Sequence, residues 1–392
     1  MTPIGLYVHV PFCVRKCAYC DFASYSGRDA DLPAYMDALA REAAWHAARG
    51  AFEAYAVRTV YVGGGTPSLA ADRLADFLTA HRARLFPNAE EITIEANPGT
   101  IGLPGLRRLF DAGCNRLSIG LQSLHDRELR TLGRIHSRDD ALRCVQAARQ
   151  AGFRNLSLDL MFGIPGATLA DWLTTLRETI ALAPEHISAY NLTIEAGTPF
   201  AELREQGKLD APDDDAQVEM ADAAVAELAG AGYEQYEISN FARTGFRSQH
   251  NQIYWRNEEY LGLGAAAHSY LRGRRYWNAA SLDMYLARSR SDAPPSDFPP
   301  TVDGHETLDL AGTMGETMMM QLRLRDGVDM RQFQRRFGLS IEAVYGEQIA
   351  ELCAEGLLEI DQTRLRLTTR GVRFANEAAQ RFLAPALPNP NV

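Results

Sequence analysis

The chain has no apolar run approaching the roughly 20 residues needed to cross a bilayer. It has no basic N-terminal region followed by a long apolar stretch, so no signal peptide is expected. Cysteine is scarce: six among 392 residues, three of them clustered. That usage suits metal ligation in a reducing compartment and argues against a disulfide scaffold. Positive charge is also short, with 40 Lys plus Arg against 50 Asp plus Glu, a net −10. Nonspecific nucleic-acid binding is therefore not expected. These absences together imply a cytoplasmic protein. What is plentiful is apolar side chain, 46% of the residues, enough for two or three domains with a large core.

The three clustered cysteines are Cys13, Cys17 and Cys20, spaced C-x3-C-x2-C. Thiolate is the soft ligand that iron–sulfur clusters prefer, and three on one short loop can hold three irons of a [4Fe–4S] cluster. The next cysteine is Cys114, so the fourth iron is left without a nearby protein thiolate. Such an iron can be chelated by the amino and carboxylate groups of S-adenosylmethionine (SAM), which a cluster electron can then cleave to a 5′-deoxyadenosyl radical. The competing reading is zinc. Zinc sites usually show two C-x2-C pairs or histidine ligands, and the nearest histidine, His9, precedes the loop on an expected strand.

Apolar, β-branched or aromatic runs predict strands at 6–10, 59–63, 91–96, 116–121, 155–162 and 186–192. Helical patterns fall between and after them at 32–49, 69–85, 101–112, 137–151, 168–182 and 213–230. Six β-α units predict an α/β fold with a parallel sheet, open or a partial (β/α)6 barrel, too few for an eight-stranded one. Chemistry in such folds gathers at the C-terminal strand ends. There the chain carries the cysteine loop, Gly63-Gly64-Gly65-Thr66-Pro67, then Glu95, Asn97 and Pro98, then Gln122 and Ser123, with Arg134 beyond a short helix. The fifth strand contains Asp159 and ends in Gly163-Ile164-Pro165-Gly166. Glu95 or Asp159 alone could equally be a cap or an ion-pair partner.

The series Y-x-H-x-P-F-C-x3-C-x-Y-C, G-G-G-T-P, I-E-x-N-P, S-I-G-L-Q-S and L-D-L-M-F-G-I-P covers about residues 5–200. It resembles the HemN/HemW branch of the radical SAM superfamily, which holds oxygen-independent coproporphyrinogen III dehydrogenases and their heme-chaperone relatives. The resemblance implies a radical SAM barrel with a C-terminal winged-helix-like domain. It implies SAM contacts from Tyr7, Tyr19, Gly64, Gly65, Thr66, Glu95, Gln122, Arg134 and Asp159. A division of labour follows: the glycines and Glu95 meet the amino or ribose groups, and Asp159 accepts from a sugar hydroxyl or amine.

A second landmark, H-N-x-x-Y-W from His250 to Trp255, resembles the chaperone members of that branch. It implies heme contacts from His250, Tyr254 and Trp255, since histidine is a common axial ligand and aromatics cover porphyrin faces. Packing against the barrel is the plainer reading of the same residues. Three departures from the decarboxylating members, that motif among them, point to the chaperone members. Phe22 stands where they carry a further cysteine, only 12 residues precede Cys13, and the H-N-x-x-Y-W run is a chaperone feature. The resemblance therefore implies a heme chaperone with heme, an acceptor hemoprotein and, if SAM is cleaved, an electron donor as partners. Any membrane contact would be peripheral and made through the acceptor. The alternative is a radical enzyme acting on a porphyrin, or a related methyltransferase.

The expected organisation is a core at 1–235, a segment at 236–290 closing the barrel, and a Pro-, Ser- and Asp-rich linker at 291–304. A winged-helix-like domain at 305–383 and a tail at 384–392 follow. From residue 300 onward there are 10 Arg, no Lys and 13 acids, so that domain is not read as DNA-binding. Arg272, Arg274 and Arg275 read as an exposed hairpin turn, and Met318, Met319 and Met320 as core.

Overall fold

Six apolar, β-branched runs become six strands that pair in parallel because helical crossovers return each to the same edge direction. They are β1 (Thr2–Val10), β2 (Tyr55–Gly64), β3 (Glu91–Ala96), β4 (Arg116–Gln122), β5 (Leu156–Phe162) and β6 (His186–Asn191). The computed structural model describes residues 1–291 and 297–383; the expected tail and part of the expected linker lie outside them. The crossovers are α1 (Leu32–Ala48), α2 (Ala71–Leu85), α3 (Leu103–Asp111), α4 (Arg138–Ala151) and α5 (Leu169–Ala181), with α6 (Asp214–Gly230) after β6. Capping boxes start two of them: Ser137 with Asp140 on α4 and Thr168 with Asp171 on α5. Helix α1 buries Tyr35, Met36, Leu39 and Ala43 against the sheet.

The sheet grows at both edges. Beyond β6 lie β7 (Glu234–Gln235) and β8 (Asn240–Ala242), antiparallel, with β8 the one that pairs β6. Beyond β1 lies β9 (Tyr260–Leu263), a seventh parallel strand that the sequence reading lacked. Then come β10 (His268–Leu271), β11 (Arg274–Asn278) and β12 (Val302–Thr307), all antiparallel. The order is β12-β11-β10-β9-β1-β2-β3-β4-β5-β6-β8-β7, with β12 and β7 as edges. The 236–290 segment thus adds strands at both edges. Of the three arginines read as an exposed turn, Arg272 falls between β10 and β11, whereas Arg274 and Arg275 belong to β11 and Arg275 is half-buried.

The C-terminal unit, read from the sequence as starting at 305, opens with α7 (Leu310–Gln321), because Val302–Thr307 pairs with β11 as a polar edge strand. After α7 come a two-residue strand (Val328–Asp329), helices at Met330–Phe337 and Ile341–Ala354, and a hairpin of Leu358–Ile360 with Arg364–Leu367. That order is a winged-helix-like one. The unit closes with two short helices, Thr369–Arg373 and Ala375–Gln380, broken at Phe374 (φ −111°, ψ 27°). Met314 and Met318 are fully buried with Phe333, Tyr345, Leu365 and Phe382, whereas Met319 and Met320 are half-buried. Arg275 on β11 grips Glu316 on α7 through two hydrogen bonds of 2.8 and 2.7 Å, tying this core to the sheet.

Candidate active site

Strand β1 ends at Val10, and Pro11 turns the chain into the cysteine loop. Phe12–Cys13 pairs with Tyr25–Ser26, so the loop is closed at its base. Its far side is held by Ala18 N–H donating to Leu132 O (3.1 Å) and Phe200 N–H to Ala18 O (3.1 Å). The three cysteines line one cavity of about 440 Å³. All six cysteines of the chain are free thiols.

The surroundings fit a cluster. Thr66 Oγ1 donates to Cys13 Sγ (3.5 Å), and Arg134 Nη1 donates to Cys17 Sγ (3.7 Å). Such donors stabilise thiolate charge. A Cβ at Gly65 would stand 2.9 Å from Cys13 Sγ, so only glycine leaves room there. Gly64 has φ +124°, a conformation side chains rarely adopt. Phe22, two positions after Cys20, is 64% exposed.

The neighbouring strand ends supply polar groups to the same cavity. Glu95 accepts from Tyr61 OH (2.7 Å) and from Gly64 N–H (3.1 Å). Burial, chiefly, pushes its carboxyl up to about 7 against those two donors, with the Asp159 charge adding to the rise. Arg134 Nη2 donates to Asn97 Oδ1 (2.6 Å) and Gly120 O (2.9 Å), and Asn97 Nδ2 to Thr66 Oγ1 (2.8 Å). One arginine therefore joins the cysteine loop, the β3 end and β4. Gln122 sits at φ +66°, a strained conformation for glutamine, beside a register shift between β4 and β5. Asp159 accepts three serine hydroxyls: Ser118 (2.9 Å), Ser157 (3.2 Å) and Ser188 (2.7 Å).

Ten of the residues expected at the SAM site or cluster share the cavity wall with Tyr19: Cys13, Cys17, Cys20, Gly64, Gly65, Thr66, Glu95, Gln122, Arg134 and Asp159. Tyr7 does not reach it. Its hydroxyl bonds His9 Nδ1 (2.8 Å), whose Nε2 meets Ala23 O (2.9 Å), so Tyr7 braces the loop from behind. Ser123 is turned inward to Glu128 (2.6 Å). The cavity also takes Tyr61, Arg116, Ser118, Ser157 and Ser188, which motif reasoning missed. A signal was present: R-L-S-I, N-L-S-L and H-I-S-A each place serine inside an apolar strand.

His250, Tyr254 and Trp255 lie outside this cavity, on the short helix Gln249–Trp255. His250 is 0% exposed, stacks on Tyr61 and bonds Thr59 Oγ1 (2.7 Å) and Tyr254 OH (2.9 Å). Burial first, then the Arg116 charge, push its imidazole down to about 3, so it is neutral. Trp255 lies under the Arg323 guanidinium, 4.5 Å from the ring centre. As the chain stands, an iron reaches His250 only if Thr59 or Tyr254 releases the ring.

Parallel strands feeding a three-cysteine loop and a glycine-lined cavity define a radical SAM protein, and residues 7–179 match the radical SAM superfamily while 308–374 match the HemN C-terminal domain. The chain belongs to the HemN/HemW family. It is 35% identical to the heme chaperone HemW of Lactococcus lactis over 97% of both chains. It is 34% identical to heme chaperone HemW of Escherichia coli, covering 98% of this chain and 99% of that one. A mouse mitochondrial radical SAM domain-containing protein 1 is 37% identical, over 95% of this chain and 85% of its own. The fold is that of Escherichia coli coproporphyrinogen III oxidase (HemN), with a TM-score of 0.82 at 23% identity, over 97% and 90% of the chains. The family carries a [4Fe–4S] cluster and SAM.

Proposed function

We propose that this protein binds heme and passes it to an acceptor hemoprotein, with Cys13, Cys17 and Cys20 holding the cluster and the cavity above β2–β5 holding SAM. The observation that carries the reading is full-length similarity to heme chaperones, through the C-terminal region as well as the core. The exposed Phe22 in place of a further cysteine supports it. When bound, the cluster supplies an electron to SAM and an iron for its amino-acid end to chelate.

The chain's own residues do the rest. Thr66 and Arg134 hold Cys13 and Cys17 in their rotamers. Glu95, once ionised, accepts the SAM ammonium beside the Gly64–Gly65 backbone. Asp159, oriented by three serines, takes a sugar hydroxyl. Gln122 and Tyr19 complete the wall, and Tyr7 steadies the loop through His9. His250, Tyr254 and Trp255 contribute to heme only through a rearrangement of their present hydrogen bonds.

No helix among the described residues is long and apolar enough to cross a membrane. With six free thiols and net negative charge, this reading places the protein in the cytosol, without nucleic acid as a partner. Membrane contact is then made only through the acceptor, and an electron donor is needed only if SAM is cleaved. The domain reading becomes a core with edge strands through 307 and a C-terminal unit from 310, since the second hydrophobic cluster is built from the latter.

A radical enzyme acting on a porphyrin is the second reading, favoured by the completeness of the SAM cavity. The deciding experiment is anaerobic, on cluster-reconstituted protein. Heme is added to one sample, and coproporphyrinogen III with SAM and reductant to another. Stoichiometric heme binding without decarboxylated porphyrin is the expected result. Protoporphyrinogen with 5′-deoxyadenosine would overturn the chaperone reading.

A further inference from the structure

The inner face of the barrel has a floor that neither the cluster nor SAM accounts for. Arg116 opens β4 and points into the cavity, yet the residue is only 2% exposed. A guanidinium has five N–H donors and no acceptor, and a buried one is ordinarily paired. Among the described residues no hydrogen bond or ion pair reaches the Arg116 side chain, and its Nε is buried without a partner. The nearby acids are engaged elsewhere: Asp159 by Ser118, Ser157 and Ser188, and Glu95 by Tyr61 and Gly64. Directly across the ladder from Arg116 stands Thr93, fully buried, whose Oγ1 also lacks a partner. Two adjacent orphan groups, Arg116 on the cavity wall and Thr93 buried beside it on the next strand, mark a site that waits for an acceptor.

We propose that Arg116 and Thr93 form a carboxylate-binding subsite at the bottom of the barrel and that it takes one propionate of the tetrapyrrole. The assignment rests on the heme-carrying reading above. A planar carboxylate matches the guanidinium fork and leaves an oxygen for the threonine hydroxyl. A phosphate, with greater charge, fits less well between Asp159 and Glu95. The carboxylate is not that of SAM. Strand β4 climbs from Arg116 to Gln122 at its C-terminal end, a rise of about 20 Å. A SAM whose amino-acid end chelates at the cysteine loop cannot also place its carboxylate on the floor. A macrocycle entering edge-first, with a propionate leading, brings a carboxylate to the depth required.

The test uses cluster-reconstituted protein, titrated anaerobically with heme and with heme dimethyl ester, with SAM binding measured on the same samples. Wild type is expected to prefer free-acid heme over the ester by about tenfold, the scale of one charge-assisted pair. Arg116→Gln removes that preference, Arg116→Lys keeps part of it, and Thr93→Val, which preserves shape, weakens it. Free-acid and ester hemes bound equally by wild type, or an undiminished preference in Arg116→Gln and Thr93→Val, overturn the subsite while leaving the heme reading intact. Loss of SAM affinity in place of heme affinity would assign the carboxylate to SAM and likewise overturn it. Wild-type protein that binds no heme at all removes the functional reading, and the propionate assignment with it.

Discussion

The cavity at the strand ends and the His250 helix are equally conspicuous in sequence, and the molecule uses them in opposite ways. At the strand ends, polar atoms are arranged to meet something that is not protein. Cys13 and Cys17 receive hydrogen bonds from Thr66 and Arg134, and Glu95 is held ready by Tyr61 and Gly64. Around His250 the polar atoms consume one another. Thr59, Tyr254 and the stacked Tyr61 leave the ring neither a free nitrogen nor a free face, and a Cβ at Gly5 would stand 3.0 Å from its Cε1. A motif's visibility therefore says which residues matter and not whether they face a ligand. That depends on how many partners the fold has already provided.

Four measurements break or sharpen this contrast. The largest effect is expected from Cys17→Ala, which on the proposed assignment removes a cluster ligand outright. Reconstituted protein should lose the visible absorption of the cluster, and an undiminished band would refute the ligand assignment.

His250→Ala should act first on stability, by about 2–4 kcal/mol, because it opens a cavity and strands the buried Thr59 hydroxyl. Denaturant unfolding measures this. A tenfold loss of heme affinity at unchanged stability would instead show that the ring turns outward to meet iron, and the contrast between the regions would fail.

The third test is pH dependence. Glu95 titrates near 7, above an ordinary carboxylate. Its proton must leave before it can pair with the SAM ammonium. SAM affinity should therefore rise with pH through 7, by at most about tenfold per unit, and Glu95→Gln should flatten that profile. The same raised carboxyl makes the ligand-free fold relatively more stable below the unfolded value of about 4, an advantage lost as pH rises through 7. A pH-independent affinity in the wild type would remove Glu95 from the ammonium.

The smallest effect belongs to Arg275→Ala. Its bonds to Glu316 are partly buried, so about 1 kcal/mol is expected, read as a shift in the denaturation midpoint with heme and SAM affinities unchanged. A fall in either affinity would mean that the C-terminal unit reports to the cavity.

The six parallel strands were legible because continuous β-branched runs between amphipathic helices have one economical packing. Tyr260–Leu263 was not, since four residues following a compact aromatic motif carry no periodicity of their own. Val302–Thr307 was hidden for the opposite reason. V-D-G-H-E-T is polar, and it becomes a strand only because β11 offers it a ladder, with Gly304 admitting the Trp277 ring. At the site, residues at strand ends were readable from position alone. The lumen residues were not, because Arg116 and the three serines lie inside strands that look like plain core. Tyr7 lies in the expected segment and meets the loop through His9.

The strand that carries the cysteine loop has two parallel neighbours of very different age in the growing chain. Leu6 lies beside Val60 on one flank and Leu261 on the other. During synthesis the first flank can be satisfied early, while the second stays bare until the ribosome has passed Leu263. The loop therefore cannot reach its final rigidity when its thiols first emerge. The seat of the loop is thus completed by a strand more than 200 residues downstream, a contact of high sequence separation. A chain cut short before that strand would leave one flank of β1, and with it the base of the cysteine loop, without its ladder.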